Sequence, residues 1–125
     1  MNANGHKSVL IVDDEEEICT LLKRILEIHK PDYQVVTAPD AFIAIERLMK
    51  RGFDLVLTDW RMGDMDGLEL ARVIRDMSPD TRILLMTGTA IPELDGGIKS
   101  LGLNGWVEKP FTPTHILNVV EQAMG

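Results

Sequence analysis

Short apolar runs alternate five times with segments of helical period along this chain. That alternation excludes most architectures before any single residue is weighed. "SVLIV" at 8–12 is continuous and rich in β-branched residues, as a strand buried on both faces must be. The following segment, 15–30, puts Ile18, Leu21, Leu22, Ile25 and Leu26 on one helical stripe, with acids in its first turn and Pro31 beyond its end. "YQVVTA" reads as a second strand, and the next helix carries Ala41, Ala44, Ile45 and Leu48 on one face and stops at Gly52. "DLVLT" is a third strand, "LELARVIRDM" a helix with Leu70, Val73, Ile74 and Met77 in its stripe, and "RILLMT" a fourth strand. The helical segment at 90–102 is the poorest, because Gly96 and Gly97 each cost about 1 kcal/mol relative to Ala. "GWVEK" is a fifth strand, and a last helix opens with Thr112 as N-cap and Pro113 at its first position, turning Ile116, Leu117 and Val120 inward.

Strands that alternate with helices pair in parallel through right-handed crossovers, which predicts a single doubly wound α/β domain, (βα)5, with helices on both sides of the sheet. At 125 residues the chain can bury roughly two-thirds of its unfolded surface. No apolar run approaches the roughly 20 residues of a membrane span, so no membrane partner is expected. The polar start, 1–6, is expected to be a flexible N-terminal segment; it has no signal-peptide core, which makes the cytoplasm the default compartment. A net charge of -7 repels phosphate backbones and argues against direct nucleic-acid binding. The single cysteine, Cys19, lies in an apolar helical pattern and is expected to be packed rather than reactive.

In such sheets ligands bind outside the carboxyl ends of the strands. The residues just after those ends are Asp13 and Asp14, Asp59, Thr87 and Lys109. Three carboxylates against one lysine leave a local charge of about -2, which either raises a pKa or recruits a divalent cation. Oxygen-only ligands select a hard ion, and the sparse set suits Mg²⁺, which keeps several waters, better than Ca²⁺. Singly, each residue has an ordinary reading: Asp14 a helix N-cap, Asp13 a strand-end polar group, Asp59 a turn residue, Thr87 a strand hydroxyl, Lys109 a loop lysine, Trp106 a core aromatic. Their joint placement after successive strands is what those readings leave unexplained.

The motifs "VLIVDDEEEI", "DLVLTDWRMGDMDGLEL", "ILLMTGT" and "WVEKPF", in this order, resemble the receiver domain of two-component response regulators, and the resemblance spans 1–125. It implies a CheY-like, flavodoxin-like sheet of order 2-1-3-4-5. Asp59 would be the phosphoacceptor, charged by a sensor histidine kinase or phosphotransfer protein, with the domain catalysing its own phosphorylation and dephosphorylation. Asp14, Asp59 and the backbone carbonyl of Arg61 would hold Mg²⁺ (or Mn²⁺), with Asp13 acting through water. Thr87 and Lys109 would bind the phosphoryl oxygens. Thr87 and Trp106 would form the switch on the face of the fourth helical segment, fifth strand and last helix, read by an effector domain, a target protein or a second copy.

Four positions depart from or modulate that pattern. Gly63 stands where the family usually has proline, so a looser loop and weaker Mg²⁺ binding are expected. Trp106 is larger than the usual tyrosine or phenylalanine. Arg61 and Thr89, two residues beyond Asp59 and Thr87, are placed to tune phosphoryl lifetime. By the same resemblance the bond before Pro110 is expected to be cis. An EF-hand reading of "DMDG" fails, because aligning Gly67 to the sixth loop position puts Met62 first and Val73 twelfth. "DDEEE" after the first strand is the wrong charge for a flavin phosphate loop, and no P-loop, serine-hydrolase or dinucleotide fingerprint occurs. The remaining alternative is a pseudo-receiver, a phosphorylation-independent interaction module of the same fold.

Overall fold

Five strands, β1 (Lys7–Val12), β2 (Tyr33–Ala38), β3 (Leu55–Asp59), β4 (Arg82–Thr87) and β5 (Gly105–Glu108), form one sheet in the order β2-β1-β3-β4-β5. All neighbours are parallel. This is a computed structural model that describes residues 6–63, 65–88 and 102–125. The described helices are α1 (Glu16–His29), α2 (Ala41–Lys50), α3 (Gly67–Met77) and α4 (Pro113–Met124). The helix expected at 90–102 falls, except for Gly102, outside the described residues, as do Thr89 and all of the polar start but His6, whose ring nitrogen meets the Asp32 carbonyl at 2.8 Å.

Alternate residues of the strands feed two cores, as the strand period of two requires. On one side Val9, Ile11, Leu55, Leu57, Leu84 and Met86 join Cys19, Leu22 and Leu26 of α1 and Ile116 and Val120 of α4. On the other, Leu10, Val12, Val56, Ile83 and Leu85 join Ala41, Ala44 and Leu48 of α2 and Leu70, Ala71 and Ile74 of α3. Burial on both faces is why these strands are continuous apolar runs. Each Leu or Ile so buried contributes about 1.5–3 kcal/mol.

The helix starts are set by short polar side chains. Asp40 accepts from Ile43 N–H at 2.8 Å, Thr112 from His115 N–H at 3.1 Å, and Asp66 from Glu69 N–H at 2.8 Å, with Glu69 reciprocating in a capping box. α1 is different. Its N-cap position is Glu15, which makes no side-chain cap, while Asp13 accepts the Glu15 N–H at 2.8 Å. Asp14 therefore does not cap α1, and the ordinary reading of that residue is set aside.

Two stripe residues are corrected. Leu21 is 48% exposed and Met77 40% exposed. The sheet-facing arc of α1 runs through Cys19, Leu22, Ile25 and Leu26, leaving Leu21 on its flank, and α3 buries Gly67, Leu70, Ala71 and Ile74 instead of its C-terminal methionine. The Lys109–Pro110 peptide is cis, as expected.

Candidate functional site

Parallel strands all end on one edge, and hydrogen bonds carry the sheet one step past those ends. Asp13 N–H donates to Ala38 O at 3.2 Å, Trp60 N–H to Met86 O at 2.8 Å, and Lys109 N–H to Thr87 O at 2.7 Å. Because Val12 is in register with Thr58, and Asp59 with Met86, the residues that follow β1 stand beside the end of β3. The backbone thus delivers Asp13, Asp59, Thr87 and Lys109 to one cleft mouth.

Within it, Lys109 Nζ lies 3.0 Å from Asp13 Oδ2, 3.4 Å from Asp59 Oδ1 and 3.7 Å from Glu15 Oε1. Asp13 is fully buried, Asp59 and Thr87 are buried, and Asp14 is exposed at the rim. One carboxylate oxygen each from Asp13, Asp14 and Asp59 lie within 4.8 Å of one another. The cleft, about 370 Å³, is lined by Asp14, Asp59, Arg61, Thr87 and Lys109 among others. Of the expected residues, all that are described meet here except Gly63 and Trp106. Gly63 lines a neighbouring cleft, and Trp106 is half-buried on β5, in register with Leu85.

The electrostatics follow from burial. Burial raises the Asp13 pKa, against the Glu15 N–H and Lys109, which lower it. Burial also raises that of Asp59, reinforced by the neighbouring Asp13 charge and opposed by Lys109. For Lys109, burial disfavours the ammonium, but the Asp13 hydrogen bond and the charges of Asp13 and Asp59 outweigh it and raise the pKa. Three clustered acids facing one ammonium leave an uncompensated negative charge among hard oxygen donors. That set fits a divalent cation of the Mg²⁺ type.

Three contributors escaped the sequence reading. Glu15 extends the carboxylate set facing Lys109, a placement consistent only in hindsight with its position two residues after Asp13. The buried Thr58 hydroxyl donates to the Asp59 carbonyl at 3.0 Å. Gly67 opens α3 directly against β3, and a Cβ there would stand 2.4 Å from the Asp59 carbonyl oxygen. The Asp-Gly pair at a helix start was the available signal. Arg61, in turn, lies with its guanidinium 4.7 Å over the Trp60 ring.

A five-stranded doubly wound sheet with an acidic cleft, a hydroxyl and a lysine at its carboxyl edge defines a class of CheY-like α/β domains. The chain belongs to the response regulator receiver domain family, whose model matches residues 9–121. It is 32% identical over 118 residues to the response regulator receiver protein CpdR of Brucella abortus, covering 94% of this chain and 97% of CpdR. It is also 34% identical over 129 aligned positions to the transcriptional regulatory protein ZraR of Escherichia coli O157:H7, covering 93% of this chain but only 29% of ZraR. Among solved structures, the Vibrio cholerae chemotaxis protein CheY4 superposes with a TM-score of 0.88 at 30% identity, covering 95% of this chain and 99% of CheY4. Among the described residues no helix is long and apolar enough to cross a membrane.

Proposed function

We propose that Asp59 accepts a phosphoryl group from the phosphohistidine of a sensor kinase or phosphotransfer protein in the cytoplasm and loses it by hydrolysis. The observation that carries this reading is the Asp59 carboxylate, 3.4 Å from Lys109 Nζ in a cleft shared with Asp14 and Thr87. An Asp59 oxygen attacks phosphorus, the phosphorus–nitrogen bond breaks, and its electron pair stays on the imidazole. In hydrolysis, water attacks the same phosphorus and the acyl-phosphate bond breaks, returning the carboxylate and inorganic phosphate. Lys109 sets its charge against the phosphoryl oxygens and the Thr87 hydroxyl donates to one of them, while the buried Asp13 keeps the lysine aimed inward. Asp14, Asp59 and the Arg61 carbonyl would hold Mg²⁺ or Mn²⁺, with Asp13 reached through water. Bound there, the cation supplies charge neutralisation to the phosphoryl oxygens.

The acyl phosphate adds up to about one negative charge at Asp59. Thr87 follows that charge and Trp106 repositions, changing the face of β5, α4 and the segment before β5 that an effector domain, a target protein or a second copy binds. Arg61 and Thr89 set how readily water reaches the phosphorus.

The test is exposure to a small-molecule phosphodonor with Mg²⁺, read by intact mass and tryptophan emission. A metal-dependent, base-labile adduct that Asp59→Asn abolishes is expected. Folded wild type that shows neither adduct nor metal response would instead be a phosphorylation-independent interaction module.

A further inference from the structure

Two glycines four residues apart, on either side of the turn after Asp59, have opposite surroundings. A Cβ on Gly63 would meet nothing within 4 Å. A Cβ on Gly67 would stand 2.4 Å from the Asp59 carbonyl oxygen and 3.0 Å from Trp60 Cα, both backbone atoms that cannot swing aside. At the same point Gly67 N–H donates to the Trp60 carbonyl at 2.7 Å. The first residue of α3 is therefore pressed onto the peptide that joins Asp59 to Trp60.

Other described residues around the turn are tied as firmly. Trp60 N–H bonds to Met86 O at 2.8 Å, so Trp60 is held on both sides. Met62 is buried in the core cluster that holds Leu70 and Ala71, and the Thr58 hydroxyl reaches both the Asp59 carbonyl and, at 3.9 Å, Met62 Sδ. Asp66 and Glu69 fix the α3 start by their reciprocal capping bonds, 2.8 and 3.4 Å. Arg61 thus sits between two anchored neighbours. A side chain at 63 would add no contact within 4 Å to any of this.

We infer that Gly67, seated by the Asp66–Glu69 cap, is the positioning residue of the site: it sets where the Asp59 carboxylate and the Arg61 carbonyl stand, and residue 63 does not. This rests on the phosphoacceptor reading above. It replaces proline-type stiffening of the turn with bracing from α3, through a close backbone approach that only glycine permits.

The test compares Gly63→Ala, Gly67→Ala, Asp66→Ala and Asp66→Asn with wild type, each checked for folding by circular dichroism. Mg²⁺ is titrated against Trp60 emission, and adduct formation with a small phosphodonor is timed. Gly63→Ala is expected to keep the Mg²⁺ midpoint within about twofold, and Gly67→Ala to weaken it about tenfold or more. Asp66→Ala should weaken it severalfold. Asp66→Asn, which keeps the cap but removes the charge, should restore it, whereas a purely electrostatic influence of residue 66 would leave it like the alanine variant. A folded Gly67→Ala with a wild-type midpoint overturns the inference, as does Gly63→Ala shifting as far as Gly67→Ala. If Gly67→Ala does not fold, the Asp66 pair decides: Asn behaving like Ala overturns it. Wild type that ignores Mg²⁺ and forms no adduct overturns the phosphoacceptor reading itself, and this inference with it.

Discussion

The ammonium of Lys109 stands 3.0 Å from the Asp13 carboxylate, a group with no exposed surface, and the same ammonium reaches Asp59 at 3.4 Å. One cation therefore serves two buried acids. Lys109→Met should destabilise the protein at pH 7 by about 3 kcal/mol, the usual result of leaving a buried charge without its partner. Urea denaturation at pH 7 and at pH 4 checks the sign. Burial raises the folded pKa values of both acids and Lys109 opposes it, so without the lysine they bind protons more readily than in wild type, and the variant's deficit narrows as pH falls. The raised Lys109 pKa acts at the other end. Its stabilisation is complete below about 10.5 and is lost as pH rises through the higher folded value.

Removing one of the repelling acids has the opposite effect. Without divalent cation, Asp59→Asn should stabilise the fold at pH 7 by about 1 kcal/mol, or about 3–5 °C in Tm for a domain of this size. Burial and the Asp13 charge hold the Asp59 pKa above 3.8, so its carboxylate costs stability above that raised value, and the gain from asparagine vanishes below 3.8. Mg²⁺ at a hundred times its dissociation constant should add about 2.7 kcal/mol to wild type and much less to the variant. Differential scanning calorimetry across pH, with and without Mg²⁺, reads both effects.

Cys19 is buried and its thiol donates to the Asp13 carbonyl at 3.4 Å, with burial raising its pKa from 9.0 to about 11. At pH 8 the thiolate fraction falls about a hundredfold from that of an unshifted thiol. A disulfide exchange reagent should therefore label the native protein at least about a hundredfold more slowly than the protein in guanidinium. Equal rates would show that α1 opens readily at its N-terminal turn.

Leu22→Ala should cost about 2–5 kcal/mol, because Leu22 is fully buried between α1 and the sheet. Leu21→Ala, on the 48% exposed flank, should stay within about 1 kcal/mol of wild type. Chemical denaturation of the two variants measures the contrast directly.

That last pair marks where sequence reading stops. Leu21 and Leu22 are equivalent in a hydrophobic stripe, and only the direction from which the sheet meets α1 separates them. Strand positions were legible because burial on both faces demands unbroken apolar runs; "YQVVTA" and "RILLMT" match β2 and β4 residue for residue. The start of α4 was legible for a local reason too, since Thr112 and Pro113 satisfy the first helical turn without help from the rest of the chain. Asp14 was less so. As a short polar residue before a helix it reads as a cap, yet Asp13 takes the Glu15 N–H and leaves Asp14 at the cleft rim.

By itself, the sequence determined what depends on neighbours along the chain: the alternation of strand and helix, hence the doubly wound class, and the residue types that follow each strand. The tertiary structure decided how those residues act on one another. Burial of Asp13, the sharing of Lys109 between two acids, the arrival of Glu15 beside them and the pressing of Gly67 onto the Asp59 peptide are contacts between segments distant in sequence or turned back on themselves. Their strength depends on desolvation and on distances of a few ångströms. Neither exists until the sheet has closed.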